Sequence, residues 1–185
     1  MKNISLVLGL TAASLFSTGA MAQAYVSGGV GFSQISVRCG NWTSCDRSDT
    51  AAKITGGYEL GNGFALEVGY ITFGKGKVSY FIFSEQFKVD GFTLGGAYRL
   101  PLTKDSEMSL RLGAAHLKTK GSTQIFGRPR GSYSEEKPDA YAGFGFGYTL
   151  DKHLKIEAGC DFSRASYQDE KVNVRAITLG ARYAF

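Results

Sequence analysis

From Ala24 onward, apolar and polar residues alternate with a period of two, the spacing at which successive side chains of a β-strand point to opposite faces. Phe64, Leu66, Val68 and Tyr70 share one face, and Ala65, Glu67, Gly69 and Ile71 share the other. The division recurs in Phe92/Leu94/Gly96/Tyr98/Leu100 against Thr93/Gly95/Ala97/Arg99, and in Met108/Leu110/Leu112/Ala114 against Ser109/Arg111/Gly113/Ala115. It continues over 142–150, 154–162 and 177–185. Two earlier segments, 25–37 and 52–60, alternate more weakly and are richer in Gly. The pattern predicts eight strands.

The connections alternate in length. Residues 61–63, 101–107 and 151–153 are short, whereas 38–51, 74–86, 118–139 and 163–172 are long and polar. Short turns on one rim and long loops on the other predict an all-β fold, an eight-stranded antiparallel up-and-down barrel, spanning residues 23–185 as one domain. Two orientations of the faces are open. A soluble, lipocalin-like barrel would turn its apolar face inward around a ligand, and a transmembrane barrel would turn it outward to lipid.

Charge placement favours the second. Lys53, Glu59, Glu67, Arg99, Arg111, Lys155, Glu157, Asp161 and Arg182 all fall on the face rich in small and hydroxyl residues. Near-balance of sign suits pairing inside a narrow barrel, where an unpaired charge is costly. Glu67, Arg99, Arg111, Glu157, Asp161 and Arg182 are the expected interior network. The opposite face is free of charge in the centre of the better-defined strands. Phe64, Tyr70, Tyr98, Tyr148, Phe162 and Tyr183 lie near strand ends, where interfacial belts form.

The N-terminus bears on compartment. Lys2 precedes an apolar stretch over 4–16, and Ala20-Met21-Ala22 fits a small-x-small cleavage rule, so residues 1–22 read as an export signal. Composition agrees: 25 Gly, 13 Phe and 10 Tyr among 185 residues suit turns and aromatic girdles. The mean hydropathy of −0.10 is what two opposed faces average to. The net charge of +5 is scattered rather than clustered. That distribution disfavours nucleic acid and suits anionic lipid headgroups.

The segment 177–185, with alternating Leu179, Ala181, Tyr183 and a final Phe185, resembles the C-terminal strand of outer-membrane barrel proteins. With Tyr25-Val-Ser-Gly-Gly-Val-Gly-Phe-Ser and the Gly-Gly-Tyr58 and Gly-Gly-Ala-Tyr98 segments, the chain resembles the small eight-stranded barrels: the OmpA membrane domain and the OmpX/Ail and opacity-type proteins. The resemblance implies a bacterial outer-membrane location; no cofactor is expected. It also implies recognition of Leu179, Ala181, Tyr183 and Phe185 by the barrel-assembly machinery. Adhesion, surface protection or envelope integrity would be served by outer loops contacting a host surface or another extracellular ligand. A narrow, porin-like channel for small solutes is the alternative. The peptidoglycan tethering that follows the OmpA barrel is not expected here.

Candidate chemistry is sparse. Cys39 and Cys45 flank five residues of the first long loop, and export makes a disulfide presenting Trp42 a reasonable reading; two free or metal-linked thiols are the alternative, though no nearby His supports a zinc site. Cys160, on the apolar face, reads as a small lipid-facing or packing residue and not as a nucleophile. Lys118, Lys120, Arg128 and Arg130 in the third long loop are candidates for lipopolysaccharide phosphates, or else ordinary solvated charges. Tyr80, Phe81 and Phe83 mark either an adhesive patch or an extension of the strands above the membrane. A lipid-trimming hydrolase needs a Ser beside His near the outer rim. His116 is followed by Leu117 and Lys118, so no enzyme is expected.

Overall fold

A computed structural model describes residues 23–36, 44–46, 48–80, 83–125, 128–167 and 170–185; for 44–46, 76–80, 83–85, 123–125, 128–130, 132–133, 167 and 170 the description is of the backbone alone. The strands are β1 (Ala24–Ile35), β2 (Ser44–Asp46), β3 (Ser48–Gly61), β4 (Phe64–Tyr80), β5 (Phe83–Pro101), β6 (Ser106–Ile125), β7 (Arg128–Thr149), β8 (Leu154–Tyr167) and β9 (Glu170–Ala184). Each of β1 and β3–β9 pairs antiparallel with its neighbour in the chain, and β1 pairs with β9, so eight strands close on themselves. Closure satisfies the backbone N–H and C=O groups that lipid cannot, which is the condition for strands to cross a membrane. The short β2 lies outside this circle and pairs with the upper part of β4.

The outward positions are the apolar ones. Phe32 is 76% exposed, Leu112 71% and Leu94 68%, with Val30, Leu66, Val68, Phe92, Ile177 and Leu179 beside them around the wall. A continuous belt of this kind far exceeds the apolar patches that water-facing surfaces carry. Phe92 to Leu100 on tilted β5 rises by about 20 Å, close to the about 25 Å apolar band of outer-membrane barrels. Aromatic pairs mark its rims. Phe64–Tyr98 and Tyr183–Phe185 lie on the short-turn side, with ring centroids 4.7 and 5.4 Å apart. Tyr70–Phe92 lies on the other side at 5.2 Å. The apolar face thus meets lipid, and the inward-facing lipocalin-like arrangement is excluded.

Two glycines permit the closure. A Cβ at Gly31 would stand 1.9 Å from the Ile177 carbonyl oxygen, and one at Gly180 would stand 2.0 Å from that of Gly28. At these two positions the first and last strands approach too closely for a side chain.

The structure departs from the sequence reading above the belt. Segments 74–86 and 118–139, read as loops, are largely strand. β5 stays paired with β6 up to Phe83↔Ile125, and β6 with β7 up to Ile125↔Arg128. Alternation continues there, with Val89, Leu117 and Thr119 inward. It is hidden in the sequence because the outward partners have become Lys, Gln and Ser. By contrast β7 leaves β8 above Tyr141↔Ser163, so β4–β7 form a sheet that stands beyond the barrel wall.

Candidate functional site

The barrel interior has two chemically distinct halves. Towards the short turns lies an ion network to which all eight barrel strands contribute. Glu67 (β4) is its hub. Its Oε1 accepts from the Tyr25 hydroxyl (β1) at 2.6 Å and from Arg99 Nη2 (β5) at 3.2 Å, and its Oε2 accepts from Arg111 Nε (β6) at 3.1 Å. Arg99 also donates to Glu59 (β3) at 2.7 Å, and its guanidinium stacks 4.4 Å from the Tyr25 ring centroid. Arg111 reaches Glu157 (β8) at 3.6 Å, and Arg182 (β9) reaches the same carboxylate at 3.4 Å. Higher up, Asp161 accepts from Lys53 at 2.7 Å and from the Tyr141 hydroxyl (β7).

Glu107 completes this network and was not among the sequence candidates. Its carboxylate takes Lys155 Nζ at 2.5 Å and Arg182 Nη2, with Arg99 Nε at 3.7 Å. The sequence reading ended a turn at Glu107, whereas β6 begins at Ser106 and the turn is 102–105, closed by Leu102 N–H donating to Ser106 O. Alternation carried two residues back from Ser109 and Arg111 would have found it. With Glu107 present, five cations (Lys53, Arg99, Arg111, Lys155, Arg182) face five carboxylates (Glu59, Glu67, Glu107, Glu157, Asp161). That balance is what a low-dielectric interior requires.

The half towards the long hairpins is apolar. Ile35, Ile71, Phe73, Phe87, Val89, Leu117 and Val174 form a buried cluster with Ala51, Ala115, Ala165 and Ala176. The sequence reading expected small and polar residues throughout the interior, and the structure corrects it here. Ile71 and Ala115 already lay on the inward face, but Phe73, Phe87 and Val89 fell in or beside a segment read as loop. The cluster plugs the outer mouth. Below it, a void of about 30 Å³ lined by Ser27, Lys53, Arg111, Glu157, Asp161 and Thr178 has room for about one water.

On the outer wall, charge gathers at His116 in the Tyr70–Phe92 row and at Asp90, Lys118 and Glu136 in the row above. His116 Nε2 lies 3.5 Å from Glu136, and Lys118 donates to the same carboxylate. The Lys118 hydrogen bond holds Glu136 below the usual carboxylate range. Asp90 accepts from the Tyr70 hydroxyl and lies 3.5 Å from Lys88 Nζ. Thus Lys118 sits on a strand and already has a carboxylate partner, whereas Lys120 is exposed one row higher with Lys88 and Lys75. Residues 1–22, Cys39 and Trp42, with the side chains of Cys45, Arg128 and Arg130, lie outside the described residues, as do the side chains of Tyr80 and Phe83 and all of Phe81. Cys160 is a free, half-buried thiol in the outer wall. Leu179, Ala181, Tyr183 and Phe185 all face outward along β9.

Among solved structures the fold resembles Ail, the attachment invasion locus protein of Yersinia pestis, at 21% identity and TM-score 0.56, covering 90% of this chain and 100% of that one. Neisserial surface protein A is similar at 17% identity and TM-score 0.63, again with 90% and 100% covered. OprG of Pseudomonas aeruginosa is similar at 13% identity and TM-score 0.56, with 90% and 98% covered. No curated protein matches the chain. The family model of the outer membrane protein β-barrel domain matches residues 5–185, and the chain therefore belongs to this family of bacterial outer-membrane barrels.

Proposed function

We propose that the protein is a non-enzymatic surface protein whose sealed barrel anchors an extracellular sheet, and that this sheet contacts a host surface or another extracellular ligand in adhesion or surface protection. The carrying observation is the pairing of β4 to β7 far above the belt, to Phe83↔Ile125↔Arg128, on a barrel whose outer mouth is plugged. A sheet built beyond what membrane crossing needs is available for contact. Ail has been crystallised with the heparin analogue sucrose octasulfate, and its barrel is similar in fold at 17% identity and TM-score 0.59. Sulfated glycans are therefore a sensible first probe.

The narrow-channel reading has less support, because the apolar plug lies across the path and the charges below it are paired. A hydrolase reading also lacks support. The cross-strand neighbours of His116 are Phe92 and Pro138, neither a nucleophile. Residues 1–22 are proposed as the cleaved export signal. Leu179, Ala181, Tyr183 and Phe185 are proposed as the strand read by the assembly machinery, supported by their common outward face beside the β1–β9 seam.

The test is adhesion of cells expressing the full chain or a variant in which residues 78–84 and 123–131 are replaced by short turns. Both must first show equal surface levels and heat-modifiable migration. Loss of binding to immobilised heparin or matrix glycoprotein in the variant supports the reading, and equal binding overturns it.

A further inference from the structure

One strand irregularity assembles a feature that strand alternation alone would not show. In β4 the outward residues are the even-numbered ones as far as Thr72, which pairs with Asp90. A bulge then shifts the register, and the next pair is Lys75↔Lys88. Gly74 takes a φ of +70°, a left-handed conformation that glycine adopts without strain. The Gly74 N–H donates to Thr72 Oγ1, and the Lys75 N–H donates to Asp49 Oδ2 at 2.5 Å. The bulge thus turns Lys75, an odd-numbered residue, onto the outward side.

The pairing that follows is Lys75↔Lys88↔Lys120↔Ser134 across β4, β5, β6 and β7. Three lysines stand side by side in one row. Like charges directly opposite one another destabilise a sheet, so such a row suits a site that is completed by an anion. Gln86, Ser122 and Ser134 add polar groups, and with the lysines they line a groove of about 520 Å³. In the patch as a whole, Lys118 is engaged by Glu136 and Lys88 is shared with Asp90. Four ammonium groups and three carboxylates, counting Asp49 beside the Lys75 N–H, therefore leave a net positive charge of one. Among the described residues no carboxylate forms an ion pair with the ammonium group of Lys75 or of Lys120.

The position of the row selects among anions. It lies on the outward side of the wall, above Phe92 and Leu94, which face lipid. Counting along β5, Lys88 stands four residues beyond Phe92, about 13 Å along the strand and about 10 Å along the membrane normal after tilt. That height is where phosphorylated headgroups of the outer leaflet begin. Three ammonium groups on adjacent strands span about 10 Å, wide enough for two phosphate groups on one glycolipid.

We infer that Lys75, Lys88 and Lys120, with Gln86, Ser122 and Ser134, form a lateral binding site for the phosphate groups of an outer-leaflet glycolipid, lipopolysaccharide. The bulge at Phe73-Gly74 is the device that completes it. The site rests on the outer-membrane location and not on the proposed contact with an extracellular ligand. It faces sideways into the leaflet, whereas that contact would be made by the tips of the hairpins.

The test uses full-length protein folded in detergent and titrated with bisphosphorylated lipid A, with the same lipid stripped of phosphate, and with heparin oligosaccharide. An exposed lysine near an anionic surface is worth about fivefold in affinity, so Lys75→Gln/Lys88→Gln/Lys120→Gln should lose about ten- to a hundredfold towards the bisphosphorylated lipid. The triple Lys→Arg variant should retain binding. Wild-type protein should lose the same affinity when the lipid is dephosphorylated, a comparison that needs no variant to fold. Equal affinity for phosphorylated and stripped lipid overturns the inference. So does a triple Gln variant that keeps lipid affinity and loses heparin, because the row would then serve a soluble polyanion. Loss of lipid affinity with unchanged cell adhesion would support the lysine site and leave the adhesive reading to its own test.

Discussion

Removing Glu67 is the sharpest perturbation of the interior. Its two oxygens accept from Tyr25, Arg99 and Arg111, so Glu67→Ala strands one hydroxyl and parts of two guanidinium groups at once. All three charged groups are buried, with side-chain exposures of 7 to 8%. Breaking a buried pair by deleting one partner costs about 3–5 kcal/mol, because the remaining charge has lost its counterion. Two contacts soften that cost. Arg99 keeps Glu59 at 2.7 Å, and Arg111 keeps Glu157 at 3.6 Å. The lower end, about 3 kcal/mol, is therefore expected. Glu67→Gln retains an acceptor for Tyr25 and should cost about half as much. The assay is urea unfolding of the protein folded in phospholipid vesicles, read from the fraction migrating as the compact band without boiling. With a slope of about 1–3 kcal/mol per M, the midpoint should fall by about 1–3 M for Glu67→Ala. A midpoint within about 0.3 M of wild type would refute the hub assignment.

Further outcomes follow from other parts of the wall and interior. Glu107→Ala leaves Lys155 and Arg182 without their shorter contacts and should destabilise by about 2–4 kcal/mol in the same assay. Phe73→Ala removes a fully buried ring from the plug and should cost about 3–5 kcal/mol. Combined with Phe87→Ala and Leu117→Ala, it should give small single-channel conductances in planar bilayers where the wild type gives none; conduction by the wild type would contradict the seal. Gly180→Val places atoms into the Gly28 carbonyl and should abolish the heat-resistant band, whereas Ala184→Val, four residues further along the strand, should not. Phe185→Ser should lower outer-membrane levels in cells while leaving folding into detergent unchanged, and normal levels would remove the terminal residue from the assembly signal.

The membrane-crossing part of this fold was legible because lipid and a charged interior impose opposite demands on successive residues. Leu94 and Leu112 cannot trade places with Thr93 and Arg111 without exposing charge to lipid. Hence alternation separated the two faces of the membrane-crossing parts of β4 to β9, and charge placement said which of them meets lipid. Legibility failed where that demand lapses. Above the belt both faces of β5 to β7 tolerate polar groups, so Lys118 to Asp139 read as loop although the hydrogen-bonded ladder continues. At Phe73-Gly74 the bulge changes the parity, and nothing in a period of two signals which face Lys75 takes. Glu107 was lost to a turn boundary two residues too long. The apolar plug was half-visible: Ile71 and Ala115 had inward parity, but Phe87 and Val89 lay at the edge of a segment not yet recognised as strand.

The central claim is a closed barrel whose charges face inward and whose apolar residues face lipid. It is tested most directly by electrophoretic migration, with and without boiling, of the protein extracted from isolated outer membranes. The structure predicts a compact, detergent-resistant band without boiling that converts to a single slower band on heating. Recovery from the soluble periplasmic fraction, with one migration before and after boiling, would contradict it.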